Sequence, residues 1–321
     1  MGFSIDTGLV TGKSKNTGDN KYQLVIAGGG PAALSAAIYA ARYGIKHVVI
    51  ESWKPGGQAA LTAEIENYPG FSSIAGSDLT DKMRKQAIEA GAVFNMETVE
   101  KAEEKNGKLF IKTDSNTYET DYLIIATGAA PATLGVPGED KYYGKGVSFC
   151  ATCDAPFFKN KKAIVVGGGD SAVKEALHLT HVVSELGLVH RRDKLRAEPY
   201  LANKLVTNEK VTTYWNSHLI EVLGDEYGVT GVILESPEGK KKIDTDGVFL
   251  YVGTKPATKS FSSLVKLDDR KAVVTSNIVG TSHPNIFAAG DVTNNGFRQV
   301  VTAVSEGARA SAAIFELLTN K

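Results

Sequence analysis

The stretch Leu24-Val25-Ile26-Ala27-Gly28-Gly29-Gly30-Pro31-Ala32-Ala33 decides the fold, because an apolar run passes straight into glycines and then into an alanine-rich segment of helical length. It predicts a strand over Tyr22 to Ala27, a tight turn, a helix over Ala32 to Tyr43 that Gly44 stops, and a second strand at His47 to Ile50. Gly28 permits the turn and Gly30 lets the backbone approach a pyrophosphate at the positive end of the helix. Ala33, at the third fingerprint position, is small enough for the helix to lie on its strand. The pattern returns at Ala163-Ile164-Val165-Val166 followed by Gly167-Gly168-Gly169-Asp170-Ser171-Ala172, with strand Lys162 to Val166, helix Ser171 to Ser184 and strand Leu186 to Val189. There Gly167, Gly169 and Ala172 take the same jobs, and Asp170 and Ser171 open the helix beside the same nucleotide. One fingerprint alone can be only a tight turn. Two of them, each with a strand before and a helix after, predict an α/β protein with two Rossmann-like dinucleotide-binding domains.

The register past each glycine assigns the ligands. Glu51 stands 23 residues after Gly28, where a carboxylate accepts hydrogen bonds from ribose hydroxyls. The same offset from Gly167 falls on His190, followed by Arg191 and Arg192, with Arg196 a turn beyond. A cationic cluster in place of a carboxylate favours a nucleotide with a 2′-phosphate, because guanidinium groups bind phosphate through charge-assisted hydrogen bonds. The alternative is a solvated basic turn.

Cys150 and Cys153 are the only two cysteines in 321 residues, and they form a Cys-x-x-Cys just ahead of the second fingerprint. A structural zinc needs four protein ligands; no third cysteine exists and the six histidines are scattered, so no metal is expected. A chain this long buries its own core without a disulfide staple. The placement points to electron transfer from a nucleotide to a dithiol.

With 36 basic and 36 acidic residues the net charge is zero, which gives no footprint for nucleic acid or an acidic membrane. Lys240-Lys241-Lys242 and Lys159, Lys161 and Lys162 read as solvated loop faces. No apolar stretch approaches the roughly 18 residues of a spanning helix, and the start lacks a signal-peptide pattern. Residues 1–20 read as a flexible polar lead-in, and Asp6 breaks the myristoylation pattern after Met1-Gly2. A reducing cytoplasm is the default compartment.

Cys150-Ala151-Thr152-Cys153-Asp154, Gly56-Gly57-Gln58, Glu66-Asn67-Tyr68-Pro69-Gly70, Ala126-Thr127-Gly128, His190-Arg191-Arg192, Gly290-Asp291 and Arg298-Gln299 occur in an order that resembles the low-molecular-weight thioredoxin reductases, from about Tyr22 to the C-terminus. The resemblance implies a split FAD domain, residues 1–128 and 257–321, with an NADPH domain, 129–256, inserted and carrying the cysteine pair. The expected strand Val248 to Val252, the breaker Gly253-Thr254-Lys255-Pro256, the strand from Ile286 ending at Asp291 and the helix from about Gln299 support that layout. Residues implied beside FAD are Gly28, Gly30, Ala33, Glu51, Gly57, Gln58, Asn67, Thr127, Gly128, Gly290, Asp291, Arg298, Gln299 and Val300. Asp291 is expected near the ribityl and phosphate region, and Gln299 and Val300 along the ring.

By the same likeness, NADPH reduces FAD, reduced FAD passes two electrons to the Cys150–Cys153 disulfide, Cys153 lies at the flavin, and Cys150 attacks the partner. Asp154 is the expected proton donor and acceptor, its alternative being a turn cap. Phe157 and Phe158 are the expected aromatics that meet thioredoxin, their alternative being core. The family commonly continues Cys-Asp-Gly, whereas Asp154 here precedes Ala155-Pro156, which reshapes the turn. The implied partner is thioredoxin or a thioredoxin-like or glutaredoxin-like disulfide protein, and the implied assembly a homodimer. Because nucleotide and cysteines share one domain, that domain is expected to rotate about Ala129 to Leu134 and Gly253 to Ala257. A ferredoxin reductase of the same architecture would lack the cysteine pair; a glutathione-reductase-like enzyme would carry a C-terminal His-Pro, and His283-Pro284 comes too early. A redox-sensing protein without turnover is the reading from another class.

Overall fold

Strand β1 (Lys21–Ala27) lies between two parallel neighbours, β2 (His47–Glu51) and β6 (Thr117–Ile125), in a computed structural model that describes residues 20–52, 55–62 and 64–320. The lead-in expected at 1–20 thus lies, apart from Asn20, outside the described residues. The chain divides into two units, one running up to Ala129 and resuming at Pro256, the other Ala130–Lys255.

In the first unit the sheet runs β3 (Phe94–Met96), β2, β1, β6, β5 (Lys108–Thr113), β4 (Val99–Lys105). β6 does two jobs, and its sequence shows why. Its first half, Thr117-Tyr118-Glu119-Thr120, alternates in character and pairs antiparallel with β5. Its second half is apolar, is buried, and holds β17 (Ile286–Ala288) in parallel beside Leu123 to Ile125. Continuous apolar runs are what strands covered on both faces require. Helix α1 (Pro31–Arg42) begins at the proline, one residue before the expected start, since proline suits the first helical position. It packs on α6 (Val300–Thr319), tied by Ser35 Oγ donating to Val304 O at 2.8 Å and Ser311 Oγ to Ala36 O at 2.8 Å. α2 (Gly76–Glu89) completes the helices of this unit.

Two short strands, β7 (Ala129–Pro131) and β16 (Thr254–Pro256), carry the chain out of the first unit and back. In the second unit a parallel sheet runs β11 (Val211–Tyr214), β10 (Glu185–Val189), β9 (Lys162–Gly167), β15 (Gly247–Tyr251), β8 (Val147–Ser148). α3 (Ala151–Asp154), α4 (Asp170–Thr180) and α5 (Pro199–Val206) belong to this unit, and β12 (His218–Gly224), β13 (Val229–Ser236) and β14 (Gly239–Asp244) form an antiparallel sheet.

Two expectations change. α4 stops at Thr180 rather than Ser184, because Ser184 is taken by Lys161, its N–H and Oγ both donating to Lys161 O at 2.9 and 3.0 Å. Lys240, Lys241 and Lys242 are exposed as expected but lie in β14, and Lys162 opens β9. A solvated face can be a strand as readily as a loop.

Candidate active site

At the first fingerprint Gly28 has φ +110°, and a Cβ there would run into the Ala126 carbonyl, so only glycine makes this turn. Gly30 caps α1 and Ala33 is fully buried beneath it. A Cβ on Gly57 would meet Gly30 Cα at 3.1 Å, and the Gly56 N–H donates to Gly29 O at 2.7 Å, so the two glycine segments are laid together. Glu51 ends β2 beside the middle glycine: a Cβ on Gly29 would come within 2.8 Å of its side chain. Gly28, Glu51, Ser52, Thr98 and Thr127 line one cavity at this strand end. Thr127 Oγ1 donates to Ala257 O at 2.7 Å, which joins the residues before Gly128 to the returning chain.

The other expected members gather at α6. Gln299 caps that helix in a reciprocal box with Thr302, and its Oε1 accepts from Asn67 Nδ2 at 3.0 Å. Val300 is the first helical residue and Arg298 precedes the cap. Gln58 lies with Gly57 in the 3-10 turn Gly57–Leu61, its Nε2 3.5 Å from Ala129 O. Partial burial pushes the Asp291 carboxyl up, opposed by Arg298. Gly290, with φ +80°, donates its N–H to Glu306 Oε2 at 2.6 Å, and Asn295 Nδ2 donates to Glu306 Oε1 at 2.8 Å. Glu306 is buried and its carboxyl is pushed up by that burial. Sequence reasoning missed it; a lone Glu in an alanine-rich helix carries no signal that it braces the Gly290-Asp291 turn.

The second fingerprint repeats the arrangement with one difference. Gly169 caps α4, Ala172 is buried, Asp170 and Ser171 start the helix, and Asp170 Oδ1 accepts from the Glu198 N–H at 2.8 Å. Gly167 lies at the end of β9. His190 sits where Glu51 sits in the first unit, since a Cβ on Gly168 would fall on its ring. It is buried, its Nε2 lies 3.0 Å from Lys194 O, and burial, aided by Arg196 and Arg192, holds it below the usual histidine range. His190 therefore supports the glycines from beneath, and burial works against its carrying charge. Arg191, Arg192 and Arg196 are exposed, and the Arg196 N–H donates to Gly168 O at 2.7 Å, which ties the basic loop to the fingerprint.

Cys150 and Cys153 form a disulfide with Cα atoms 5.4 Å apart. Cys150 caps α3 and is half-buried, Cys153 is exposed, and the Cys153 N–H points to Cys150 Sγ at 3.1 Å. Behind the pair, the Ala151 N–H donates to Tyr251 Oη at 2.7 Å and the Thr152 N–H to Glu175 Oε2 at 3.2 Å. Asp154 ends α3, half-buried, and its side chain makes no capping hydrogen bond. Ala155–Phe158 forms a 3-10 turn with Pro156 near its start, so the departure from glycine is absorbed by a tight right-handed turn. The two phenylalanines separate: Phe158 is buried edge-on to Phe249 at 5.1 Å, and Phe157 is exposed. Of the two, Phe158 takes the core alternative and Phe157 alone is exposed.

Two strand-end nucleotide cradles and a disulfide ahead of the second are the parts of a nucleotide-driven disulfide reductase. Residues 22–307 match the pyridine nucleotide-disulphide oxidoreductase family. The chain belongs to that family. The thioredoxin reductase of Listeria monocytogenes is 46% identical over 293 residues, 90% of this chain and 91% of that protein. The thioredoxin reductase of Coxiella burnetii is 42% identical, covering 90% and 94%. Among solved structures, the thioredoxin reductase of Lactococcus lactis superposes with a TM-score of 0.91 at 38% identity, over 94% of this chain and 100% of that one. Within the pyridine nucleotide-disulphide oxidoreductases, this chain is a thioredoxin reductase by sequence and by fold. Among the described residues no helix is long and apolar enough to cross a membrane, and no group of three His, Cys, Asp or Glu could hold a metal.

Proposed function

We propose that the chain is an NADPH-dependent thioredoxin-disulfide reductase that carries FAD in its first unit and binds NADPH on its second. The observation that carries this reading is the Cys150–Cys153 disulfide, present in the unit that also holds the second nucleotide fingerprint. The likeness to proteins named thioredoxin reductase over nine-tenths of the chain supports thioredoxin as the partner.

The residues fit the two cofactors. In the first unit Gly30, which caps α1 and where a Cβ would meet nothing nearer than Gly57 Cα at 3.9 Å, leaves the backbone open to a pyrophosphate, and Glu51, packed against Gly29, stands beside it for a ribose. Gln299 and Asn67, held to each other, and the Gly290-Asp291 turn braced by Glu306 would hold the flavin end. In the second unit Gly169 to Ser171 would take the phosphates and Arg191, Arg192 and Arg196 the 2′-phosphate. FAD, when bound, supplies the hydride chemistry between NADPH and the disulfide.

The chain's own task is the exchange. A thiolate attacks the partner's disulfide, a mixed disulfide forms, and the second thiol resolves it, releasing the reduced partner and restoring Cys150–Cys153. Asp154, in the same turn and not engaged as a cap, is the acid and base for the protons that the sulfurs release and recover. The N–H directed at Cys150 Sγ supports Cys150 as the thiolate that attacks the partner, with Cys153 the sulfur that resolves the mixed disulfide. The assembly that accompanies this reading is a homodimer in a reducing cytoplasm.

The test is an anaerobic NADPH titration of the yellow protein, followed by oxidised thioredoxin. NADPH bleaches the flavin and thioredoxin restores its colour; a glutaredoxin-like protein serves as the rival acceptor. Each single variant, Cys150→Ser and Cys153→Ser, still bleaches with NADPH but loses thioredoxin turnover. A covalent thioredoxin complex that builds up with Cys153→Ser assigns the attack to Cys150, and one that builds up with Cys150→Ser assigns it to Cys153. Colourless protein that FAD does not reconstitute, or wild-type turnover in both variants, sinks the reading.

A further inference from the structure

Three elements of the second unit converge behind the redox turn. α4 supplies Glu175, the end of β15 supplies Tyr251, and α3 supplies its own backbone. Glu175 Oε2 accepts from the Thr152 N–H at 3.2 Å, from Thr152 Oγ1 at 3.3 Å and from Tyr251 Oη at 3.3 Å. Tyr251 Oη in turn accepts from the Ala151 N–H at 2.7 Å. Of the backbone N–H groups of residues 151 to 153, two are thus taken by this carboxylate and phenol, and one points at sulfur. Neither Glu175 nor Tyr251 belongs to the nucleotide cradle or to the exchange chemistry described above.

The consequence follows from the balance of the couple. Two electrons break the S–S bond; two protons are taken up if both sulfurs end as thiols, and one if a thiolate remains. Whatever stabilises the thiolate makes the dithiol easier to form and weaker as a reductant. A carboxylate nearby does the opposite, since like charges disfavour each other. We propose that Glu175 is a positioning residue that sets the redox poise of the Cys150–Cys153 couple, by occupying the Thr152 N–H and, through Tyr251, the Ala151 N–H, and by holding a negative charge behind the turn. The proposal rests on the reading of this pair as the electron relay.

The groups facing the carboxylate are few. His178 lies one turn along α4, Thr152 belongs to α3 and Tyr251 to β15, and Asp154 of α3 acts on Tyr251 in turn. Burial pushes the Glu175 carboxyl up, opposed by the Thr152 N–H, by His178 and by the hydroxyls. Burial and then Glu175 push the Tyr251 phenol up, so it stays a donor. As pH falls through the raised Glu175 pKa, the negative charge is lost and its effect on the sulfurs fades.

The experiment uses reduced holoenzyme. The rate of iodoacetamide labelling against pH reports the thiolate, and equilibration in reduced and oxidised dithiothreitol, followed by alkylation and mass spectrometry, reports the disulfide. Two electrons and two protons pass from dithiothreitol to the enzyme in that equilibrium. Glu175→Gln, which keeps size and one acceptor, is expected to lower the labelling midpoint by about one pH unit. It is also expected to move the equilibrium about tenfold toward the dithiol, about 30 mV for a two-electron couple. Glu175→Asp, which keeps the charge and loses reach, is expected to stay nearer wild type than Glu175→Gln in both readouts. Unchanged values in Glu175→Gln overturn the proposal, as does an aspartate variant displaced as far as the glutamine one. A Glu175→Gln protein that fails to fold or to retain flavin also overturns it, by making the carboxylate structural. Failure of the underlying reading looks different: wild-type enzyme itself would not be reoxidised by thioredoxin.

Discussion

Glu51 and His190 stand at the same offset from their fingerprints, and their side chains sit under the same glycine, Gly29 in one unit and Gly168 in the other. Spacing located both, but spacing carries no burial. The sequence therefore placed His190 in a cationic cluster, whereas burial disfavours its charge and the exposed cations of that cluster are Arg191, Arg192 and Arg196. The middle glycine was given no job for the same reason: the side chain it must clear is some twenty residues away. Glu175 was illegible altogether, since nothing in its neighbourhood along the chain announces Thr152 or Tyr251. The guanidinium groups give a prediction at this scale. Hydrogen bonds to charged groups contribute about 1.5–3 kcal/mol, so replacing Arg191 and Arg192 with Ala is expected to raise the KM for NADPH roughly 10- to 100-fold. The KM for NADH, which lacks the 2′-phosphate, should change little. Equal losses with both nucleotides, measured by steady-state kinetics, would reduce the cluster to a basic surface turn.

At the scale of elements, the two strand-turn-helix units were legible because apolar runs, glycines and alanines each appear where parallel sheets need them. The antiparallel strands were not, and their composition shows why. Val99–Lys105 is built largely of Glu and Lys and presents little of a strand's apolar alternation. Its hairpin did leave a trace: Asn106 and Gly107, both at positive φ, join it to β5, and an Asn-Gly pair between two runs is a hairpin signal. Close packing of helices is testable here. A Cβ on Gly307 of α6 would fall on the backbone carbonyl of Ala32 in α1, so Gly307→Ala must push the helices apart. Overpacking of this kind costs roughly 1–3 kcal/mol. Gly296→Ala, with nothing within 4 Å and no positive φ, serves as the control and should shift stability by no more than about 0.5 kcal/mol. Denaturant unfolding of both proteins checks the pair; equal stabilities would mean that α1 and α6 are not packed as described.

At the scale of the whole molecule, chain order alone sets a problem. The cysteines and the second nucleotide fingerprint lie on one inserted unit; on the proposed reading both serve a single flavin held by the other unit, which would require the insert to present first one and then the other. Only two connections allow it, the segments around β7 and β16. Gly253, just before β16, has φ +118°, and a Cβ there would meet nothing within 4 Å. Its constraint is therefore purely one of backbone. Its carbonyl accepts from the Ala132 N–H at 2.9 Å, which ties the outgoing segment to the returning one. An L-residue in such a conformation costs of the order of 1–3 kcal/mol, so Gly253→Ala should shift the connection toward other conformations without touching either nucleotide cradle. The expected result is unchanged flavin content and an NADP⁺ dissociation constant within about twofold, since that site lies within one unit, together with a severalfold change in kcat for thioredoxin reduction. Stopped-flow reduction by NADPH and steady-state turnover separate these quantities. Turnover equal to wild type would remove Gly253 from the hinge, and a large loss of NADP⁺ affinity would mean that the substitution damages the inserted unit itself.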